Sequence, residues 1–424
     1  MRRYDSYKDS GVEWLGEVPS HWNLIPNKYI FKLRKNVVGK RSNEYYLLSL
    51  SLKGVIKRDM ENPEGKFPAE FDTYQEVKEG DFIFCLFDVE ETPRTVGLSS
   101  YHGMITGAYT IFETNNVDKK FTYYFYLNLD SDKRLKPLYK GLRNTISKET
   151  FFSFNTFIPP LSEQQKIAQF LDDKTAKIDQ ALDLAEKQIA LLKEHKQILI
   201  QNAVTRGLNP DVPLKDSGVK WIRQVPEHWD VKKLKFVSKI NQHTLPENTN
   251  GSLIIKYVDI GSVSFENGIE KVENFSFKNA PSRARRLANK GDIVVSTVRT
   301  YLKAITMVKE EYQDCIFSTG FAVVTSNECL KDSFFELYAK SDAFTEQVSV
   351  FSKGMSYPAI NSTDLSNLWI TVPPLSEQQK IADYLDTQTA KIDQAIALKT
   401  AHIEKLKEYK NVLINDVVTG KVRV

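Results

Sequence analysis

Few side chains in this 424-residue chain are spaced for catalysis. Asp172-Asp173 and Glu90-Glu91 are adjacent carboxylates that could hold a divalent cation, but neighbours on a helix point to different faces, so solvated surface charge is expected. Gly420-Lys421 is followed by Val422, where a phosphate-binding loop needs Ser or Thr. Cys85, Cys315 and Cys329 are too few and too scattered for a disulfide framework or a zinc site, and the six histidines form no ligand-spaced cluster. His21 and His228 have no acid or nucleophile nearby in sequence and read as structural.

Binding chemistry is better represented. Arg, Lys, Asn, Ser and Tyr on loops projecting from a rigid sheet match phosphate oxygens and base edges. Arg94 follows Pro93 after an expected strand, and Arg143 with Asn144 follows Gly141. In the second half Arg299, Tyr301 and Lys303 lie at the corresponding turn, and Ser356 with Tyr357 follows Gly354. Arg283, Arg285 and Arg286 have the spacing of a phosphate-tracking strip, although a surface ion-pair cluster would look the same. Any one of these could be a solvated loop residue. As a group they are the candidate interface, and the net charge of +4 neither demands nor excludes nucleic acid.

The elements that must position these loops are written twice. PPLSEQQKIAQFLDDKTAKIDQAL, Pro159 to Leu182, returns as PPLSEQQKIADYLDTQTAKIDQAI, Pro373 to Ile396, with 19 of 24 positions identical. A strip, KDSGVEWLGEVPSHW from Lys8 to Trp22, returns as KDSGVKWIRQVPEHW from Lys215 to Trp229. The period is a little over 200 residues, so the chain reads as two half-units in tandem, each strip, variable region and helix. Trp14, Trp22, Trp221 and Trp229 look like docking anchors against the helices, and they are also the candidate partner-binding residues.

Each helical segment follows a Pro-Pro pair, and Ser162 with Gln165, or Ser376 with Gln379, has the spacing of a capping box. Ile178, Leu182, Ala185, Ile189, Leu192, Lys196, Leu199 and Ala203 then alternate steps of four and three, as do Ile392, Ile396, Lys399, Ile403, Leu406, Lys410, Leu413 and Val417. The first helix is expected to run roughly 42 residues, ~63 Å at ~1.5 Å per residue. Each stripe needs a partner, and the best candidate is the other copy, giving an antiparallel two-helix coiled coil within one chain. Lys196, Lys399 and Lys410 fall on the seam and are expected to weaken it locally.

The variable regions, about Asn23 to Ile158 and Asp230 to Val372, diverge far more than the frame. Gly80-Asp81 aligns with Gly291-Asp292, Thr106-Gly107 with Thr319-Gly320, and Lys140-Gly141 with Lys353-Gly354, which suggests one fold with two surfaces. Runs such as Phe82 to Phe87, Tyr109 to Phe112, Ile293 to Val298, Ala304 to Val308 and Phe321 to Thr325 read as strands, and Phe121 to Leu129 and Phe334 to Phe344 as helices. The expected fold class is α+β: two β-rich mixed domains separated by the coiled coil, a tandem pseudo-twofold repeat with near-circular topology. The expected boundaries are 1–22 for the N-terminal strip on the C-terminal helix, 23–158, 159–229 for central helix and linker strip, 230–372, and 373–424.

With these features assembled, the chain resembles the specificity subunit of a type I restriction-modification enzyme. The duplicated PPLSEQQKIA plus heptad helix, the KDSGV-W-VP-HW strip, and GDF/GDI followed by a Thr-Gly strand carry the resemblance over almost the whole chain. It implies two target recognition domains, each reading one half of a split double-stranded DNA site. It also implies assembly with two methyltransferase subunits and, in the nuclease form, translocase-endonuclease subunits. DNA amino-methylation calls for an Asn-Pro-Pro-aromatic loop, whereas Asn62-Pro63 and Asn209-Pro210 are followed by Glu64 and Asp211. The chain is therefore expected to be non-catalytic and without cofactors, with S-adenosylmethionine, ATP and Mg²⁺ on partner subunits. A coiled-coil scaffold whose variable domains bind proteins, or a subunit of a type II-like enzyme, are the alternatives. No run of about 18 apolar residues occurs and MRRYDSYKDS lacks a signal-peptide core, so a cytoplasmic location is expected.

Overall fold

The structure, a computed structural model, describes residues 2–60, 70–140 and 144–424. Asn62, Pro63, Gly141 and the candidate Arg143 lie outside the described residues. Two compact units divide the chain: Met1–Glu186 with Ala401–Val424, and Lys187–Thr400.

In the first unit the strip forms an antiparallel hairpin, Tyr7–Asp9 with Glu17–Pro19, and Asn23–Pro26 then pairs with Asn155–Ile158. Between them lie two four-stranded sheets. One runs Phe31–Arg34, Thr110–Thr114, Phe82–Phe84, Val96–Leu98 in spatial order and is antiparallel throughout. The other runs Gly54–Lys57, Tyr46–Ser51, Gly103–Ile105, Gln75–Val77, with a parallel pair between Tyr46–Ser51 and Gly103–Ile105. Phe82-Ile83-Phe84 is buried on both faces, which is why it reads as an unbroken apolar run. Phe31 is the hub of an aromatic core, with the rings of Phe82, Phe84, Phe112, Tyr126 and Phe151 centred 5.3–5.6 Å away. The helix Lys119–Ser131 starts at Asp118, whose carboxylate accepts from Phe121 N at 2.9 Å.

The second unit has the same topology. Its antiparallel sheet runs Ser238–Ile240, Phe321–Ser326, Ile293–Ser296, Ile305–Met307. Its other sheet runs Glu273–Ser276, Ile254–Val258, Cys315–Ser318, Ala284–Leu287, again with one parallel pair, between Ile254–Val258 and Cys315–Ser318. The helix expected over Phe334 to Phe344 is two helices, Asp332–Ala339 and Asp342–Phe351. Ser341 divides them: its backbone is extended, and its carbonyl accepts from Phe344 and Thr345 to begin the second helix.

Two long helices carry these layers, Leu161–Arg206 of 46 residues and Leu375–Val418 of 44. The capping-box expectation is corrected. The carbonyls of Pro160 and Pro374 accept the first amides, from Glu163 and Gln164 and from Glu377 and Gln378, so Ser162 and Ser376 sit inside the first turn. The seam positions of both helices are buried or half-buried. The seam lysines do not leave weak points. In the first unit Lys410 reaches both oxygens of Asp179 at 2.6 and 2.7 Å. In the second, Lys196 reaches both oxygens of Asp393 at 2.7 Å and Lys399 reaches Gln188 Oε1 at 2.6 Å. A long aliphatic stem lets each ammonium leave the apolar stripe and find an acceptor on the facing segment.

Candidate nucleic-acid interface

The frame is tied together by residues whose pairing no sequence spacing could reveal. Trp22 is fully buried, and its indole N–H donates to Glu163 Oε1 at 3.1 Å. The same carboxylate receives Tyr4 Oη at 2.6 Å and faces His21 Nε2 at 2.7 Å. Burial pushes the Glu163 carboxyl up, but the donors from Tyr4, His21 and Trp22 together outweigh it and hold it below the usual carboxylate range. In the second unit Trp229 Nε1 donates to Glu377 at 2.9 Å and His228 Nε2 lies 2.7 Å from it. Gly420 turns the end of the second long helix with φ +76°, and a Cβ there would collide with Pro19.

This burial corrects the reading of Trp22 and Trp229 as partner-binding residues: both are internal anchors with no surface to offer. Trp14 and Trp221 are only half-buried. The Arg134 guanidinium covers Trp14 at 4.4 Å, and Phe351 lies 6.1 Å from Trp221. Gln164 and Gln378 are the other frame residues missed in the sequence. Each donates to a proline carbonyl, Pro159 or Pro373, at 2.8 Å, and each accepts the backbone amide at the start of a domain helix, from Asp118 at 2.8 Å or Lys331 at 2.7 Å. The identity of these glutamines in both copies of SEQQK was the available signal.

Several candidate readers come together in the second unit. Arg299, Thr300–Leu302 and Lys303 form a corner after Ile293–Ser296, and Val298 and Lys353 both bridge Ala359, which brings the loop holding Ser356 and Tyr357 alongside. Arg299 lies 5.1 Å over the Tyr357 ring, and Tyr301, Tyr357, Ser356 and Met355 are exposed. Lys303, half-buried, lies 5.6 Å over Phe265.

The position equivalent to Arg299 in the first unit is Asp88, since Phe87 bridges Thr145 as Val298 bridges Ala359. Arg94 is not at that turn, and the structure corrects its assignment: its guanidinium faces the buried Asp130 at 3.3 Å and the carbonyl of Leu52 at 3.2 Å. Asn144 is exposed and accepts the Asp88 amide through its carbonyl at 2.7 Å.

The arginine triplet does not form one strip. Arg283 is exposed, 3.9 Å from Asp259; Arg285 stacks on Phe277 at 4.6 Å; and Arg286 is half-buried with its tip 3.4 Å from Thr244 Oγ1. Burial lowers the Arg286 pKa, and among the described residues its Nε has no hydrogen-bond partner. A basic-aromatic surface in the first unit went unnoticed in the sequence: Lys57 lies 3.6 Å over exposed Tyr46 and 5.1 Å from Tyr101. Among the described residues no group of three or more His, Cys, Asp or Glu is placed to hold a metal, and no helix is long and apolar enough to cross a membrane.

The model of the type I restriction modification DNA specificity domain matches residues 104–193 and 226–408. The chain belongs to that family. As a specificity subunit it works in DNA sequence recognition within a type I restriction-modification system, where such subunits bind DNA and join the other subunits. The type I restriction enzyme MjaVIII specificity subunit of Methanocaldococcus jannaschii is 27% identical over 333 residues, 76% of this chain and 75% of that protein. Two solved structures share the fold at 15% identity. A chain from a study of complex assembly and conformational transition of the type I R-M system has a TM-score of 0.71, covering 96% of this chain and 99% of that one. The HsdS subunit of Thermoanaerobacter tengcongensis has a TM-score of 0.53, covering 96% and 98%.

Proposed function

We propose that this chain is the non-catalytic reader of an asymmetric, interrupted DNA site, with residues 23–158 and 230–372 as target recognition domains for two different half-sites. The observation that carries this reading is one topology built twice with opposite chemistry at an equivalent corner, Asp88 in one unit and Arg299 in the other. Two domains so alike in backbone and so unlike in surface suit a target that is bipartite and not a palindrome.

In this reading residues 1–22, 159–229 and 373–424 form the frame, an antiparallel coiled coil and two strips, written twice along the chain and nearly circular in connectivity. The equivalent pairs Lys410–Asp179 and Lys196–Asp393, and the equivalent clusters on Glu163 and Glu377, support it. The helices link the two domains along the chain, so their length sets the stretch of unread base pairs between the half-sites. Pseudo-equivalent surfaces suit two methyltransferase subunits, through which translocase-endonuclease subunits join. S-adenosylmethionine, ATP and Mg²⁺ then belong to those partners.

Methylome sequencing of cells carrying variants tests the reading. Exchange of residues 23–158 for another such domain is expected to change one half-site only, and whole helical turns inserted near Leu191 to lengthen the unread gap. Alteration of both half-sites by the exchange, or of the recognised bases by the insertion, overturns it.

A further inference from the structure

The corner after Ile293–Ser296 holds two non-glycine residues in the left-handed region, Arg299 at φ 52° and Lys303 at φ 47°, on either side of one 3-10 turn, Thr300–Leu302. L-residues resist this backbone and keep it only where the surroundings impose it. Here they do. Buried Thr300 meets Ser352 through their hydroxyls at 2.8 Å, its amide donates to Pro358 O at 3.3 Å, and the bridges to Ala359 close the corner from the other side. The locked underside fixes what stands on top: Arg299 stacked on Tyr357, with Tyr301 beside it, all solvent-facing.

The first unit builds the same corner. Asp88 takes the left-handed backbone at φ 42°, its amide donates to Asn144 O at 2.7 Å, and Phe87 bridges Thr145. What stands on top there is Asp88, Glu90 and Glu91, all exposed. Phosphate oxygens repel carboxylates, so a corner that meets DNA with an aspartate at its apex meets base edges and not the backbone. A guanidinium at the same apex has two parallel N–H groups for guanine O6 and N7, whereas a carboxylate accepts from an exocyclic base amine.

Of the other candidate arginines among the described residues, only Arg283 is also exposed, and it faces Asp259 at 3.9 Å. Arg94 is committed to Asp130, Arg285 to Phe277, and Arg286 is half-buried. Arg299 has no carboxylate partner among the described residues, and the Tyr357 ring pre-orients it, which lowers the cost of ordering it on a base pair.

We propose that this corner is the base-reading apex of both domains, Arg299 reading a guanine in the second half-site and Asp88 accepting from the amine of a cytosine or adenine in the first. The inference rests on the proposed bipartite reading and adds the residue and the base class to it.

Methylome sequencing of cells expressing the full complex with Arg299→Ala, Tyr357→Ala or Asp88→Ala tests it. Arg299→Ala is expected to relax one position, a guanine of the second half-site, with discrimination there falling roughly fivefold to a hundredfold. Tyr357→Ala relaxes the same position to a smaller degree, and Asp88→Ala relaxes one cytosine or adenine position of the first half-site only. Both half-sites unchanged, a uniform loss of methylation with no position relaxed, or relaxation at a base other than those named overturns the assignment. A wild-type methylome without two separable half-sites instead defeats the bipartite reading, so the two failures are distinct.

Discussion

Replacing Glu163 by alanine leaves the fully buried indole N–H of Trp22 without an acceptor and removes the partners of Tyr4 Oη and His21. A net hydrogen bond to a charged group is worth about 1.5–3 kcal/mol, and an orphaned buried donor costs about 1–3 kcal/mol. The partly exposed His21 contact adds little. Glu163→Ala is therefore expected to destabilise the first unit by about 3 kcal/mol. Glu377→Ala removes the acceptor of Trp229 and His228, and among the described residues Glu377 has no third side-chain donor, since Asp211 stands where the first strip has Tyr4; about 2 kcal/mol is expected in the second unit.

Hydrogen exchange with mass spectrometry on the full chain reads each strip separately, Lys8 to Trp22 for the first and Lys215 to Trp229 for the second. The Glu163 carboxyl is held below its ordinary value, so its contribution is fully present above the unfolded pKa of ~4.3 and fades as pH falls through the lower folded value. The stability gap between wild type and Glu163→Gln should accordingly narrow in acid. A cost below about 0.5 kcal/mol for Glu163→Ala, equal loss of protection in both strips, or a gap that widens in acid would refute the reasoning.

Arg94→Ala should destabilise by about 2 kcal/mol in thermal unfolding, because among the described residues the buried Asp130 then keeps only Lys133 as a counter-charge, while the methylated sequence stays unchanged. Double-mutant cycles on Lys410–Asp179 and Lys196–Asp393 should each return a coupling of about 0.5–1 kcal/mol by urea unfolding, reflecting partly exposed pairs. Gln164→Ala orphans the Asp118 amide and the Pro159 carbonyl and should cost about 1–2 kcal/mol, read as faster exchange at the start of Lys119–Ser131.

The two long helices are legible in the amino-acid sequence because helical periodicity is local: an unbroken alternation of steps of four and three, bounded by Pro-Pro, allows few other structures. The duplication is legible for a simpler reason, since nearly identical segments recur at one spacing, and with it came the family. Where each helix begins was not so readable. Ser162 has the right type and spacing for a cap, but Pro160 occupies that position, because the strand Asn155–Ile158 delivers the chain there and Glu163 and Gln164 are then needed against Trp22 and Asp118. Composition also marked Trp22 as an anchor without saying that nothing of it would remain exposed. Arg94 and Arg299 make the same point at the interface. Both follow strands and both have the chemistry to grip DNA, yet one guanidinium is drawn to a carboxylate 36 residues away and the other stacks on a tyrosine in solvent. Residue type sets what a side chain can bind. Which partner it meets depends on long-range packing of sheet, helix and loop, and that was decided only by the tertiary structure.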